Sequence, residues 1–249
     1  MSNQSGPGRA EHVPASRPDD VPEPGVALAK RVLRRRCLDA RAAQTGAVRR
    51  GFDKARSARV WQLLDELAAM GPGPSAGAAA ARQASRRDAV TDVPNRVATR
   101  PTVAIYLSIP PEPGTLDLAS ELHRRGWPVI VPSPGDGERP WAEPAWVSYE
   151  EPLQPGPRAM VSRGTLADLG AADVIIMPGL AGSPDGGRLG YGGAWYDRAL
   201  RAARSGAPRW LLLNDDEVVD VVPREPHDQL VDVIVTPGRV LRCGGRLGA

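Results

Sequence analysis

Residues 173–200 read DVIIMPGLAGSPDGGRLGYGGAWYDRAL, and three local patterns follow one another in this stretch. The unbroken apolar run at its start is typical of a strand that is buried on both faces. A long glycine-rich loop comes next, and the segment from about Ala194 to Ser205, which has no glycine or proline, is predicted to be a helix. A strand, a loop and a helix in this order predict one unit of a parallel α/β sheet.

Similar apolar runs lie on both sides of this stretch. Together with it they predict five strands: TVAIYL (102–107), PVIV (128–131), DVIIM (173–177), WLLL (210–213) and VDVIV (231–235). The segment TLDLASELHRRG, between the first two runs, is predicted to be a helix that ends at Gly126. Strands that alternate with helices predict a three-layer, mostly parallel open sheet with helices on both faces, a Rossmann-like α/β fold.

The first hundred residues have a different pattern. Residues 1–25 are rich in proline, glycine, serine and charge and are predicted to be a disordered tail. Segments 30–43 and 52–70 are predicted to be helices that precede the sheet. After them comes GPGPSAGAAAARQASRRD, and we expect a mobile insertion at 71–95 within a single domain that spans residues 26–249.

The charges are distributed unevenly along the chain. Residues 1–100 carry 18 basic and 10 acidic side chains, whereas the remainder carries 14 and 19, for a net charge of +3. The two parts could attract each other, or share an anionic ligand with metal ions held by the acidic part. A binder of nucleic acid or of acidic partners that uses the N-terminal arginines is a further alternative.

The chain has too few cysteines and histidines for a disulfide-rich fold or a zinc site. Two distant cysteines and three scattered histidines predict neither a disulfide framework nor a zinc cluster. No stretch approaches 18 apolar residues, and the polar N-terminus does not have the pattern of a secretory signal. We therefore expect a cytoplasmic monomer with neither a membrane nor a nucleic-acid partner.

The glycine-rich loop follows a strand, so it is predicted to lie at the carboxyl edge of the sheet, where open α/β sheets bind ligands. Its glycines allow backbone N–H groups to turn toward an anion, and the following helix would add its positive end. Arg188 could hold phosphate oxygens, and Asp197 could bind Mg²⁺ beside them. The alternative is a crossover loop with an arginine exposed to water. The loop lacks the GK[ST] of a Walker A sequence and the GxGxxG of a dinucleotide site.

The order of residues from MPGLA to RLGYGGAWYDRAL resembles the signature of the 5-formyltetrahydrofolate cyclo-ligase (5,10-methenyltetrahydrofolate synthetase) family. Three further segments resemble that family in order and spacing: KRVLR (30–34), YLSIPPEPGT (106–115) and REPHDQLVDVIVT (224–236). The resemblance covers about residues 28–240, with 71–95 unmatched. It implies an ATP- and Mg²⁺-dependent enzyme that phosphorylates the formyl oxygen of 5-formyltetrahydrofolate and closes the ring to 5,10-methenyltetrahydrofolate.

The resemblance also implies roles for individual residues. The catalytic pair would be Arg188 and Tyr196. The residues that would contact ATP are Lys30, Arg31, Arg34, Arg188, Leu189, Gly190, Tyr191, Gly192, Gly193, Ala194, Trp195 and Tyr196. Those that would contact the folate are Arg34, Ile109, Glu112, Gly114, Tyr191 and Trp195. The two metal ligands would be Asp197 and Asp228.

Each of these assignments has a simpler alternative. Lys30 and Arg34 could form a solvated basic face of a helix, Asp197 a favourable first-turn acid, Asp228 a turn residue and Ile109 a core residue. Some positions depart from the family pattern: Gly114 where a Glu is common, Gly182 and Ser183 where Phe-Asp is common, Ala194 for Gly and Trp195 for Tyr. These departures motivate a second hypothesis, a folate- or nucleotide-binding relative that has lost turnover.

Overall fold

The computed structural model describes residues 24–70, 100–133, 143–156 and 159–244. The α-helices in these ranges are α1 (Pro24–Ala43), α2 (Gly46–Ala69), α3 (Leu116–Arg124) and α4 (Trp195–Ala199). The strands are β1 (Val103–Ile105), β2 (Val129–Ser133), β3 (Ala145–Ser148), β4 (Gln154–Pro155), β5 (Met160–Val161), β6 (Leu166–Ala167), β7 (Val174–Pro178), β8 (Ala181–Gly182), β9 (Arg188–Leu189), β10 (Arg209–Leu212), β11 (Val233–Val235) and β12 (Val240–Arg242).

Eight of these strands form one sheet in the order β12-β11-β10-β7-β1-β2-β3-β6. The five central strands from β11 to β2 run parallel, and they are the five that the apolar runs predict. The outer strands β12, β3 and β6 pair antiparallel with their inner neighbours. The expected mostly parallel sheet is confirmed, with antiparallel strands at both edges. Two-stranded hairpins, β4–β5 and β8–β9, lie outside it.

Both faces of the sheet are buried, because side chains alternate between them along each strand. In β1, Val103 and Ile105 face one core cluster, which α2 and α3 cover. Ala104 faces the other cluster, to which Ala199 and Leu200 at the end of α4 contribute. Helix α1 packs elsewhere, with its Cys37 in a third cluster beside the β8–β9 hairpin.

Most predicted helices are present, with different ends. Helix α1 begins at Pro24, within the last two residues of the predicted tail, and proline suits a first helical turn. Helix α2 begins at Gly46 because Thr45 caps it, its Oγ1 accepting from the Val48 N–H (3.3 Å). Helix α3 spans Leu116–Arg124, and Gly126, the predicted terminating residue, follows it with a φ of 75°.

Helix α4 is much shorter than the predicted 194–205. It ends at Ala199, after which the N–H groups of Arg201, Ala202 and Ala203 bond to carbonyls three residues back. Such tighter turns cannot continue a regular α-helix. With only five residues, α4 does not supply the strong helix dipole that the sequence interpretation assigned to it.

The predicted insertion at 71–95 and the predicted tail up to residue 23 lie outside the described residues. No helix in the described ranges combines the length and the apolar composition that crossing a membrane requires.

Candidate active site

The order of the strands creates a crevice between β1 and β7. From β1 the chain passes through α3 on one face to β2, whereas from β7 it passes through α4 on the other face to β10. The loops that leave β1 and β7 therefore turn to opposite faces and leave a gap between them at the carboxyl edge. Ligands of open α/β sheets bind at such points. The two loops, 106–115 and 179–194, are those in which the sequence placed folate and nucleotide contacts.

Arg188 is the central side chain of the β7 loop. It is 7% exposed, its Nη2 donates to Asp197 Oδ1 (2.7 Å), and its guanidinium carbon lies 5.9 Å from the centre of the Tyr196 ring. Next to it, a Cβ on Gly190 would lie 2.9 Å from Nη1, so a larger residue would displace the guanidinium. Among the described residues, Arg188 Nε and the Tyr196 hydroxyl have no hydrogen-bond partner. A buried polar group without a partner needs an explanation, and at this crevice a bound ligand would supply one.

The other loop residues differ in environment. Leu189 is buried in the third core cluster, and Tyr191, Gly192 and Gly193 are exposed at the tip of the loop. Ala194 takes a left-handed conformation (φ 49°, ψ 20°) immediately before α4. This is the conformation that glycine adopts without strain. Ala194, where the family resemblance leads us to expect glycine, therefore has a glycine-like backbone.

Trp195 lies in an aromatic cluster. Its ring centre is 5.6 Å from that of Trp146 on β3 and 4.8 Å from that of Tyr196. Burial raises the pKa of the Tyr196 phenol, and the Glu112 carboxylate raises it further. The Tyr196 hydroxyl therefore stays protonated at neutral pH and can donate a hydrogen bond.

Helix α1 brings basic residues to this loop. Lys30 and Arg34 lie one turn apart, as expected, and Arg34 Nε donates to the Gly190 carbonyl (2.9 Å). Lys30 is 6% exposed and forms ion pairs with Glu225 and with Asp228 Oδ2 (2.5 Å). Arg31 is exposed, and no contact joins it to the loop among the described residues. Lys30 and Arg34 are therefore not a solvated basic face.

The two predicted metal ligands are connected through the backbone of Gln229. Asp197 Oδ1 accepts from Arg188 and from the N–H of Gln229 (3.2 Å), the residue that follows Asp228. Asp228 Oδ2 accepts from Lys30 and from the Glu225 N–H (2.8 Å). Asp197 Oδ2 and Asp228 Oδ1 accept no hydrogen bond from the described residues, although His227 Nε2 lies 3.9 Å from Asp228 Oδ1. Carboxylate oxygens are ligands that suit Mg²⁺.

Sequence reasoning missed two potential ligands beside Asp228. Atoms of Glu225, His227 and Asp228 that could bind a metal lie within 4.8 Å of one another. All three belong to the segment REPHDQL, whose turn residues and acids were a signal that went unused.

A buried network of ion pairs and hydrogen bonds connects α1 to the β7 loop. Arg41, fully buried, donates to both oxygens of Glu217 (2.6 and 2.8 Å), to the Gly179 carbonyl (2.6 Å) and to the Tyr191 hydroxyl (2.7 Å). Glu217 in turn accepts from the backbone and side-chain amides of Asn214 (2.8 and 3.0 Å). The sequence analysis assigned neither Glu217 nor Asn214, which follow β10, to the site.

The β1 loop faces this network. Glu112 Oε2 accepts from the Ile109 N–H (2.8 Å), and Ile109 is 39% exposed, so it is not a core residue. Burial raises the pKa of Glu112, and the Ile109 N–H and the Arg41 guanidinium oppose that shift. Burial raises the pKa of Tyr191 as well. The Arg41 guanidinium lowers this pKa, and the Glu112 carboxylate raises it. These mutual effects agree with a position of Glu112, of Tyr191 in the β7 loop and of Tyr196 in α4 around the same crevice.

Comparisons with known proteins agree with this geometry. The profile of the 5-formyltetrahydrofolate cyclo-ligase family matches residues 29–237. A 5-formyltetrahydrofolate cyclo-ligase of Mycolicibacterium smegmatis is 33% identical over 147 residues, which are 55% of this chain and 74% of that protein.

Two solved structures have a similar fold. A 5,10-methenyltetrahydrofolate synthetase of Aquifex aeolicus superposes with a TM-score of 0.63 at 22% identity, covering 88% of this chain and 94% of the other. One from Mycoplasma pneumoniae superposes with a TM-score of 0.56 at 17% identity, covering 84% and 98%. With the family profile matched from α1 to beyond β11, and the crevice built from the matching motifs, the chain belongs to the 5-formyltetrahydrofolate cyclo-ligase family.

Proposed function

We propose that the protein uses ATP and Mg²⁺ to convert 5-formyltetrahydrofolate to 5,10-methenyltetrahydrofolate, as a cytoplasmic monomer. The observation that carries the proposal is the pair of buried polar groups without partners, Arg188 Nε and the Tyr196 hydroxyl, at the crevice between the two loops. Phosphate oxygens would satisfy both groups. The free thiols of Cys37 and Cys243 agree with a reducing compartment.

The proposed reaction has two steps. The formyl oxygen attacks the γ-phosphorus of ATP, the bond from that phosphorus to the β–γ bridging oxygen breaks, and ADP leaves. N10 then attacks the formyl carbon, the bond between that carbon and the phosphorylated oxygen breaks, and phosphate leaves as N10 loses its proton. The reaction converts a poor leaving group into a good one, so the protein mainly positions two ligands and neutralises phosphate charge.

In this scheme Arg188 holds oxygens of the transferred phosphoryl group, with its orientation fixed by Asp197. The protonated Tyr196 hydroxyl donates a hydrogen bond to the same group. Lys30 and Arg34 approach the nucleotide from α1, and residues 189–195 surround its phosphates through their backbone. Each contact adds positive charge or a donor where negative charge develops.

Asp197 and Asp228 would hold Mg²⁺ through the two oxygens that receive no hydrogen bond. Bound there, the ion would neutralise charge on the phosphates. Lys30 and Arg188, which already touch these aspartates, keep the carboxylates oriented toward the crevice.

The folate would lie on the β1 side of the crevice. Ile109 offers exposed apolar surface and Glu112 a carboxylate, and Gly114 lies beside them with its N–H donated to Asp53. Tyr191 and Trp195 contribute aromatic surface from the β7 loop, and Arg34 lies within reach of both ligands in this scheme.

Turnover is the direct test. The purified protein is incubated with 5-formyltetrahydrofolate, ATP and Mg²⁺, while ADP and the absorbance of the methenyl product are followed together. We expect one ADP per product formed and no product without Mg²⁺. Arg188→Ala should abolish product with the fold intact by circular dichroism, whereas Arg201→Ala, at an exposed arginine outside the crevice, should not.

The same experiment tests the second hypothesis, a folate- or nucleotide-binding relative that has lost turnover. A relative that has lost turnover would bind ATP or the folate in calorimetry without releasing ADP. The backbone of Ala194 supports the hypothesis of turnover. Alanine at this position was the departure most expected to alter the loop, yet Ala194 still takes the left-handed conformation that glycine would take. Binding of neither ligand would contradict both hypotheses.

A further inference from the structure

Asp53 on α2 reaches across to the β1 loop. Its Oδ1 accepts the N–H of Gly114 (2.8 Å) although the two residues lie 61 positions apart. A Cβ on Gly114 would lie 2.5 Å from Asp53 Oδ2 and 2.8 Å from its carboxyl carbon. The carboxylate of Asp53 therefore occupies the space into which any side chain at position 114 would project.

The position of this carboxylate is fixed by a buried arginine. Arg56, 1% exposed, donates to Asp53 Oδ1 (2.7 Å), to the Leu213 carbonyl (3.0 Å) and to Asn214 Oδ1 (2.7 Å). Asn214 belongs to the network that holds Arg41 and Tyr191 on the other side of the crevice. The side chain of Asp53 is nevertheless 33% exposed.

One oxygen of this carboxylate is available. Both hydrogen bonds that Asp53 accepts from described residues use Oδ1, and Oδ2 receives none. A preoriented, partly exposed carboxylate oxygen at the edge of a ligand crevice is a strong acceptor for an N–H donor.

We propose that Asp53 is a folate-binding residue, whose Oδ2 accepts a hydrogen bond from the N–H donors of the pteridine ring. This inference rests on the proposed function. The 2-amino-4-oxopyrimidine part of a pteridine carries adjacent N–H donors, at the 2-amino group and at N3, and a carboxylate is their natural acceptor. Because Gly114 has no side chain, the acid at this point of the crevice comes from α2 and not from residue 114.

The first test separates binding from structure with Asp53→Asn. The amide oxygen can still accept the Gly114 N–H, so the tie between helix and loop is kept while the charge is lost. We expect the affinity for 5-formyltetrahydrofolate, measured by titration calorimetry, to fall about tenfold to a hundredfold. The affinity for ATP should change less than twofold, as should both affinities in the control Asp65→Asn, an exposed acid on the same helix.

The second test transfers the carboxylate from position 53 to position 114. Gly114→Glu should weaken folate binding in the wild type, because its Cβ collides with Asp53, yet strengthen it in the Asp53→Ala background, where the space is free. The same loss in both backgrounds would overturn the inference, as would wild-type folate affinity in Asp53→Asn. A wild-type protein that binds no 5-formyltetrahydrofolate would instead contradict the proposed function itself.

Discussion

Ala194 has a backbone conformation that its residue type disfavours. Its φ of 49° is the only positive value at a non-glycine residue in the described chain, and no side chain caps α4 from this position. A left-handed residue other than glycine costs about 1–2 kcal/mol, since its Cβ approaches the following carbonyl. The protein bears that cost at the turn that aims Tyr196 and Asp197 into the crevice.

Ala194→Gly should therefore stabilise the protein. Relief of the backbone strain outweighs the greater freedom of glycine in the unfolded chain, and we expect a net gain of about 0.5–1 kcal/mol in urea unfolding. The matched control is Ala58→Gly, at an exposed position inside α2, which should lose about 1 kcal/mol. Destabilisation by both variants would show that Ala194 is not strained.

Arg188→Lys probes the shape of the cation and not its charge. A lysine ammonium can pair with Asp197 but cannot present the planar fork of a guanidinium to phosphate oxygens. We expect kcat/KM for ATP to fall about tenfold to a hundredfold. If kcat/KM for ATP in steady-state kinetics changes less than twofold while the thermal midpoint is unchanged, Arg188 does not contact the phosphates as proposed.

At the scale of elements, the pair Arg41–Glu217 anchors α1 to the carboxyl edge, together with the ion pairs of Lys30. Both side chains are almost fully buried, at 0% and 2% exposure. A buried pair of this kind tolerates the loss of one partner poorly, because the other charge is left in a low-dielectric interior. The rest of α1 contributes Lys30 and Arg34 to the site only if this anchor holds.

Glu217→Gln should destabilise the protein by about 3–5 kcal/mol in chemical unfolding. It should also release Tyr191 from Arg41, so that KM for the folate rises in the fraction that remains folded. The control is the exposed pair Arg35–Asp39 on the same helix, 80% and 63% exposed, where Asp39→Asn should change stability by less than about 1 kcal/mol. Equal effects at both pairs would contradict the anchor.

Elements with a local signature were predictable from the sequence, and long-range partners were not. Five apolar runs identified β1, β2, β7, β10 and β11, because buried parallel strands need continuous apolar residues. The end of α4 was wrong, since residues 200–205 favour helix locally but take tighter turns in the fold. Lys30–Glu225 and Asp53–Gly114 could not be foreseen, because the residues of each pair are brought together only by the tertiary structure.

At the scale of the whole molecule, the strand order explains why motifs from distant parts of the chain form one site. Crossovers on opposite faces open the crevice between β1 and β7, and α1 and α2 bring Lys30, Arg41 and Asp53 to its edge. The family resemblance assigned residues to ligands, but the network that orients them became visible only in three dimensions.

Stability against pH is also a property of the whole fold, and Cys243 makes it testable. Cys243 is 2% exposed, and burial together with the nearby Asp232 carboxylate raises the pKa of its thiol from 9.0 to about 11. The folded state thus favours the neutral thiol. Its contribution to stability is complete below pH 9 and is lost as pH rises through 11, because the unfolded chain releases the proton first.

We therefore expect the stability advantage of the wild type over Cys243→Ala to shrink with pH. Between pH 8 and pH 10 the difference in the free energy of unfolding should fall by about 1 kcal/mol, measured by urea titration of both proteins under reducing conditions. The variant serves as its own control, because tyrosines and lysines titrate alike in both proteins. A difference that stays constant or grows with pH would mean that the Cys243 thiolate is accommodated in the folded state.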